Sequence, residues 1–140
     1  MFELQPALQR DCILLGRFPL SLLLLMNDSR YPWLILVPQR PGLTELFQLS
    51  PDDRRQLLDE SCILAAALAK SYRPDKLNIA TIGNLVPQLH LHHVVRYRTD
   101  DAWPAPVWGK LPARPYRAAE VTTIRERIAA MELERYLPQS

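Results

Sequence analysis

The sequence predicts an α+β fold: an antiparallel sheet with a central helix and a C-terminal helix packed against it. Three observations carry this. Three short apolar runs bounded by breakers lie before residue 40, and a well-capped amphipathic stretch begins at Pro51. Two more short apolar runs and a second amphipathic stretch then complete the chain.

Taken in order, Phe2 to Gln9 fits a short helix or an extended arm. Cys12 to Phe18 reads as a first strand, broken by Pro19, and Leu20 to Met26 as a second. Asn27 to Pro32 is dense in turn formers, after which Trp33 to Val37 makes a third strand ended by Pro38. Apolar runs of this length suit strands covered on both faces, and their flanking breakers favour strand over buried helix. Ser50-Pro51-Asp52-Asp53 is a helix start. The serine accepts from free first-turn amides, proline suits the first helical position, and the aspartates complement the positive end of the dipole. This helix runs to Tyr72, before Arg73-Pro74. Leu57, Ser61, Leu64 and Leu68 share its apolar face, widened by Leu58 and Ala65. Leu77 to Thr81 and Gln88 to Tyr97 are the fourth and fifth strands, separated by a loop at Gly83-Asn84. Thr99 to Pro115 is proline-rich and irregular. Tyr116 to Tyr136 is an amphipathic helix with Val121, Ile124, Ile128 and Met131 on its stripe, ended by Pro138.

The 140 residues suit a single domain, 1–140, since either half alone buries too small a core. Hydrophobic residues make up 48% and glycines number only 4, which excludes collagen-like and disordered classes. The net charge of +2 gives no global field that calls for a nucleic acid or a membrane as partner. All but Lys70, Lys76 and Lys110 of the 17 basic residues are arginines, and this share is neutral evidence. Cys12 and Cys62 form no CxxC pair, so neither a disulfide scaffold nor a zinc ribbon is expected, and Cys62 is expected as a buried free thiol. The opening residues lack a basic segment leading into an apolar run, and Leu20 to Met26 is too short to span a bilayer. A soluble, cytoplasmic protein is the expectation.

All three histidines fall within Pro87 to Arg96. On a strand, Gln88, His90 and His92 share one face, while Leu89, Leu91 and His93 share the other. The alternation implies one buried face and one wet face, with two imidazoles side by side on the wet one. Imidazole titrates near neutrality, attacks phosphorus and carries protons, so an adjacent pair suits a phosphate site. The same pair could share a metal ion, but a catalytic zinc site wants three protein ligands and no third is spaced to serve. His93, pointing away, is expected as a packed or surface residue.

The segment Val86-Pro87-Gln88-Leu89-His90-Leu91-His92-His93-Val94-Val95-Arg96 resembles the signature of the histidine triad (HIT) family. That signature is His-x-His-x-His followed by two apolar residues, with Val-Pro before it and an arginine near its end. In this register Gln88 stands where the family has its first histidine; starting at His90 instead would lose both the Val-Pro and the arginine. Asn27-Asp28 and Pro32 to Pro38 resemble the family's turn and following strand. The helix from Pro51 and the strand Leu77 to Ala80 fall in family order, so the resemblance covers residues 10–110, with helix 116–136 beyond it.

The resemblance implies a HIT-like fold and hydrolysis or transfer at the α-phosphate of a nucleotide conjugate, through a nucleotidyl-histidine and without cofactor or metal. His90 falls on the nucleophile and His92 on the histidine that bonds phosphate oxygens. Gln88 can orient its neighbours but cannot shuttle a proton. Asn27 falls on a ribose-contacting position and Asn84 on one that can reach phosphate. Ile82 stands where the family has a nucleotide-contacting asparagine. Trp103-Pro104 is spaced like a Trp-Pro pair in one branch of the family, whose tryptophan reaches the neighbour's site across a two-fold homodimer. Two other readings stay open: a catalytically weak nucleotide-binding module on the same fold, and a metal-dependent hydrolase using His90 and His92.

Overall fold

The computed structural model describes residues 1–139. A short helix α1 (Pro6–Asp11) leads into strands β1 (Cys12–Arg17), β2 (Ser21–Met26) and β3 (Trp33–Pro38). Helix α2 (Pro51–Tyr72), strands β4 (Lys76–Ala80) and β5 (Leu91–Arg96), helix α3 (Ala118–Ala130) and the two-residue strand β6 (Leu137–Pro138) follow. The six strands form one sheet in the order β4-β5-β3-β2-β1-β6, and every pairing is antiparallel. The α+β architecture expected from the sequence is therefore the one observed.

Strand β3 lies between β5 and β2 and is buried at all six positions, which is why its sequence is a continuous apolar run. Alternation sends Leu34 and Leu36 to one face, with Leu23, Leu25, Val95 and the α2 residues Leu57, Leu64 and Leu68. Trp33, Ile35 and Val37 go to the other, with Leu8, Leu24, Val94, Ala102 and Val107. The sheet thus separates two cores, one roofed by α2 and the other by α1 and the irregular segment after β5.

Helix α2 starts as its sequence dictates. The Ser50 hydroxyl accepts from the Asp53 amide at 3.1 Å, and Pro51 opens the first turn. It ends where Arg73 turns left-handed (φ 49°) ahead of Pro74. Its buried stripe holds Leu57, Glu60, Ser61, Leu64 and Leu68. Two expectations fail here: Leu58 is 64% exposed and Cys62 is also exposed. One residue is 100° of helix, so a stripe centred on Leu57, Ser61 and Leu64 turns both of these outward. The fully buried Glu60 takes the place next to Ser61, and its Oε2 accepts from the Leu20 amide and from Gln56 Nε2, both at 2.8 Å. It ties the turn between β1 and β2 to α2.

The C-terminal helix is shorter than the pattern suggests, ending at Ala130 rather than Tyr136. Glu132 and Arg135 adopt positive φ (50° and 60°), and the chain doubles back to add β6 beside β1. Leu133 is buried from this turn, and the Tyr136 ring packs on Phe18 with centroids 5.3 Å apart. The Tyr136 hydroxyl and the Leu137 carbonyl occupy the space a side chain at Gly16 would need. Only glycine fits there, and β1 carries a bulge between Leu14 and Gly16.

Candidate functional site

Strand β5 begins at Leu91, so Gln88 and His90 sit in the segment that enters the strand rather than within it. The His90 ring is held locally: Nδ1 lies 2.6 Å from the Gln88 carbonyl oxygen. A carbonyl only accepts, so Nδ1 carries a proton and donates it, which selects the neutral tautomer whose lone pair lies on Nε2. The His92 ring lies beside it, centroids 4.7 Å apart and planes at 65°. Trp33, on the neighbouring strand and the same face, donates its indole N–H to His92 Nδ1 at 2.9 Å. With Nδ1 accepting, the proton of neutral His92 sits on Nε2. Burial, with His90 and His93 adding to it, pushes His92 down to about 3, so the ring is neutral in ordinary buffers. The pair therefore presents a bare nitrogen on one ring and an N–H on the next.

The face expected to be wet is covered. His90 is 6% and His92 3% exposed. Trp108 closes over His92, its ring 5.2 Å from His92 and 5.9 Å from Trp33, both in edge-to-face arrangement. Its indole nitrogen is buried with no hydrogen-bond partner among the described residues.

The segment carrying Trp108 is positioned by Arg96, the last residue of β5. Its side chain is 2% exposed and makes four hydrogen bonds, gripping Asp100 at 2.9 and 3.1 Å and donating to Asn78 Oδ1 and the Ala105 carbonyl, both at 2.8 Å. The Asp100 carboxylate also accepts from the amides of Tyr97, Ala102 and Trp103. Burial pushes this carboxyl up, but the Arg96 fork and the three amides outweigh it and leave it below its usual value. The loop is thereby turned back so that Ala102 and Val107 join the core beneath the histidine pair. The arginine that ends the motif shapes the loop instead of facing the site.

His93 lies on the other face, as alternation requires. Its Nδ1 donates to the Leu91 carbonyl at 3.1 Å, and its Nε2 accepts from the Ser61 hydroxyl of α2 at 2.7 Å. Burial pushes it down to about 4, against the upward pull of the Leu91 and Leu34 backbones.

Among the other residues singled out in the sequence, Gln88 stands beside the pair, but its side chain is bonded to the arm before α1. The Asn27 side-chain oxygen Oδ1 accepts from the Tyr116 amide at 2.8 Å. Asn84 is exposed in the loop between β4 and β5. The half-buried Trp103 ring lies over the Arg96 guanidinium, 5.6 Å from carbon to centroid. None of Asn27, Asn84 and Trp103 is hydrogen-bonded to the pair. Sequence reasoning missed Trp33 and Trp108. Strand alternation could have found Trp33, which shares a face with Ile35 beside the histidine strand; nothing local could have found Trp108. Among the described residues, no three His, Cys, Asp or Glu side chains are grouped so as to hold a metal ion, and no helix is long and apolar enough to cross a membrane.

The model of the HIT domain matches residues 7–99. The chain belongs to the histidine triad family. It is similar to a crystallised histidine triad protein of Marinobacter aquaeolei VT8, with 43% identity over 96% of this chain and 97% of that one and a TM-score of 0.93. A histidine triad protein of Sinorhizobium meliloti 1021 shares 44% identity over 93% of this chain and 96% of its own, with a TM-score of 0.90. A hypothetical histidine triad nucleotide-binding protein of Sulfolobus tokodaii strain7 shares 12% identity over 82% of this chain and 79% of its own at a TM-score of 0.64, a likeness of fold alone. No curated protein matches this HIT chain.

Proposed function

We propose that this HIT protein hydrolyses or transfers a nucleotidyl group at the α-phosphate of a nucleotide conjugate. The observation that carries this reading is the bond from His90 Nδ1 to the Gln88 carbonyl, which leaves Nε2 as a ready nucleophile. The Nε2 lone pair attacks phosphorus, the bond from phosphorus to the leaving group breaks, and the leaving group departs with the electron pair. The product is a nucleotidyl-histidine that keeps its Nδ1 proton. Water or another acceptor then attacks the same phosphorus, loses a proton to solvent, and returns the pair to Nε2.

His92 serves as a neutral donor: its Nε2–H meets a phosphate oxygen as charge builds there. Trp108 Nε1, buried and unpartnered beside His92, is a second donor available to a ligand. Gln88 acts as a positioning residue, Asn84 is assigned to phosphate, and the remaining polar capacity of Asn27 to ribose. The working unit on this reading is a two-fold homodimer to which Trp103 contributes across the interface. Edge strand β4, with Ile79 and Leu85 exposed on and after it, supports such a pairing.

The test is incubation with dinucleoside polyphosphates and nucleoside phosphoramidates, with and without chelator, followed by acid-free trapping of the protein. A chelator-insensitive turnover and a mass increase of one nucleotidyl group on His90 are expected. Tight nucleotide binding without turnover would favour the binding-module reading, and loss of turnover with chelator would favour a metal-dependent one.

A further inference from the structure

Gln88 does two things at once. Its main-chain carbonyl holds the His90 ring, and its side chain grips the arm that precedes α1. The Gln5 amide donates to Gln88 Oε1 at 2.9 Å, and Gln88 Nε2 donates to the Glu3 carbonyl at 2.9 Å. A carboxamide presents donor and acceptor side by side in one plane, which suits the amide and carbonyl of residues two apart on an extended chain. An imidazole has its two nitrogens on diverging axes and cannot make both bonds to one segment.

The arm is seated rather than trailing. The Leu4 and Gln5 carbonyls are taken up locally, Leu4 by Gln9 Nε2 at 2.8 Å and Gln5 by the Leu8 and Gln9 amides, both at 3.0 Å. Phe2 and Leu4, like Trp108, pack against the core that contains Trp33 and Val94. The segment from Val86 to His90 precedes β5 and lacks a strand ladder of its own. Leu89 is buried in the α2-side core and Val86 packs on the other, and the hydrogen bonds that tie the segment to distant parts of the chain are the Leu89 amide on the Leu43 carbonyl, at 2.9 Å, and the arm on Gln88.

We propose that the arm Phe2–Gln5 is a strap, latched by Gln88, that holds the main chain in place so that the Gln88 carbonyl keeps His90 in its Nδ1–H form. This rests on the reading of His90 as nucleophile. In the family's register Gln88 stands where a histidine is expected, and the strap gives that glutamine a task only its amide can perform. Arm docking and nucleophile orientation then form one coupled unit, because both end on a single residue.

The test uses three full-length variants: Gln88→Ala, the pair Phe2→Ala with Leu4→Ala, and all three changes together. With a dinucleoside polyphosphate, kcat is expected to fall about tenfold or more in Gln88→Ala, because the imidazole is no longer held in the productive tautomer. KM should move less than kcat. The Phe2/Leu4 variant should fall in the same direction, and the triple variant should be no worse than Gln88→Ala. Nitrogen NMR of the His90 ring supplies a readout that needs no substrate: the parent shows the Nδ1–H form, and each variant shifts toward Nε2–H. Unchanged kcat and tautomer in folded Gln88→Ala, or multiplicative losses in the triple variant, would overturn the strap. If the intact protein turns over no nucleotide while the variants still move the tautomer, the proposed activity falls and the strap stands.

Discussion

His90 and His93 lie three residues apart and repeat one local device with opposite results. Each donates Nδ1–H to the carbonyl two residues before it, at 2.6 Å to Gln88 and 3.1 Å to Leu91. Each is thereby fixed in one tautomer with Nε2 as the acceptor. What differs is the far nitrogen. On the α2 face, Ser61 fills it at 2.7 Å and the ring becomes a buried pin between β5 and α2. On the other face, no described residue bonds to His90 Nε2. Tautomer selection by a backbone carbonyl is thus common to a structural histidine and the proposed nucleophile, and on the proposed reading what sets His90 apart is a second nitrogen left without a partner.

The largest expected effect comes from removing the free nitrogen. His90→Ala should abolish turnover, a loss of about a thousandfold or more, with no nucleotidyl adduct in the mass spectrum. Its thermal midpoint should stay close to that of the parent. Near-normal turnover would erase the contrast between the two rings.

Much of this contrast was legible in the sequence. Alternation alone sent His93 away from His90 and His92, and the apolar runs with their proline boundaries located the strands of the sheet. Ser61 stands out as a small residue on the apolar face of α2, but its meeting with His93 is a tertiary contact that no local pattern marks. Coverage of the histidine pair was not legible. Polar residues alternating with leucine imply solvent, yet Trp108 reaches the pair from an irregular segment whose path depends on the Arg96–Asp100 grip. The Gln88 latch joins residues 83 and 85 positions apart, and no local pattern marks such a contact. In α2, the apolar pattern follows the buried stripe along its axis but is too wide at Leu58, because the opposite flank belongs to Glu60, a charged residue whose burial answers to the Leu20 amide and not to hydrophobicity.

Acid should act on the pinned ring before it acts on the fold at large. His93 sits at about 4 in the folded chain and His92 at about 3, both below the ordinary 6.5. Between those values and 6.5 the unfolded chain binds more protons, so stability rises with pH. The contribution is complete above 6.5 and is lost as pH falls toward 4 and then 3, about 3 kcal/mol from His93 alone. Urea midpoints at pH 7 and pH 4.5 measure this, and His93→Phe should flatten the dependence. Equal midpoints in the parent would contradict the buried, neutral state of these rings.

Ser61→Ala sharpens the comparison by giving His93 the open nitrogen that His90 has. A buried acceptor left without a donor costs about 1–3 kcal/mol, read as a lower urea midpoint at pH 7. Because α2 lies across the sheet from His90 and His92, kcat should be unchanged. A drop in kcat at full folding would mean that the two faces of β5 are coupled.

The smallest effect tests whether His92 is held as firmly as its neighbours. Trp33 fixes it from a side chain instead of a backbone carbonyl, and the indole can only donate. Trp33→Phe keeps an aromatic ring against Tyr31 and Trp108 but removes that donor. His92 is then free to place its proton on either nitrogen, and the barrier that the indole raises to protonation at Nδ1 is gone. The expected results are a kcat lower by about tenfold, an adduct that still forms on His90, and a loss of about 1–2 kcal/mol in stability from the smaller ring. Nitrogen NMR should show His92 leaving the pure Nε2–H form and titrating at higher pH than in the parent. If turnover and ring signals both stay as they were, Trp33 is packing alone, and the donor role assigned to His92 loses its support.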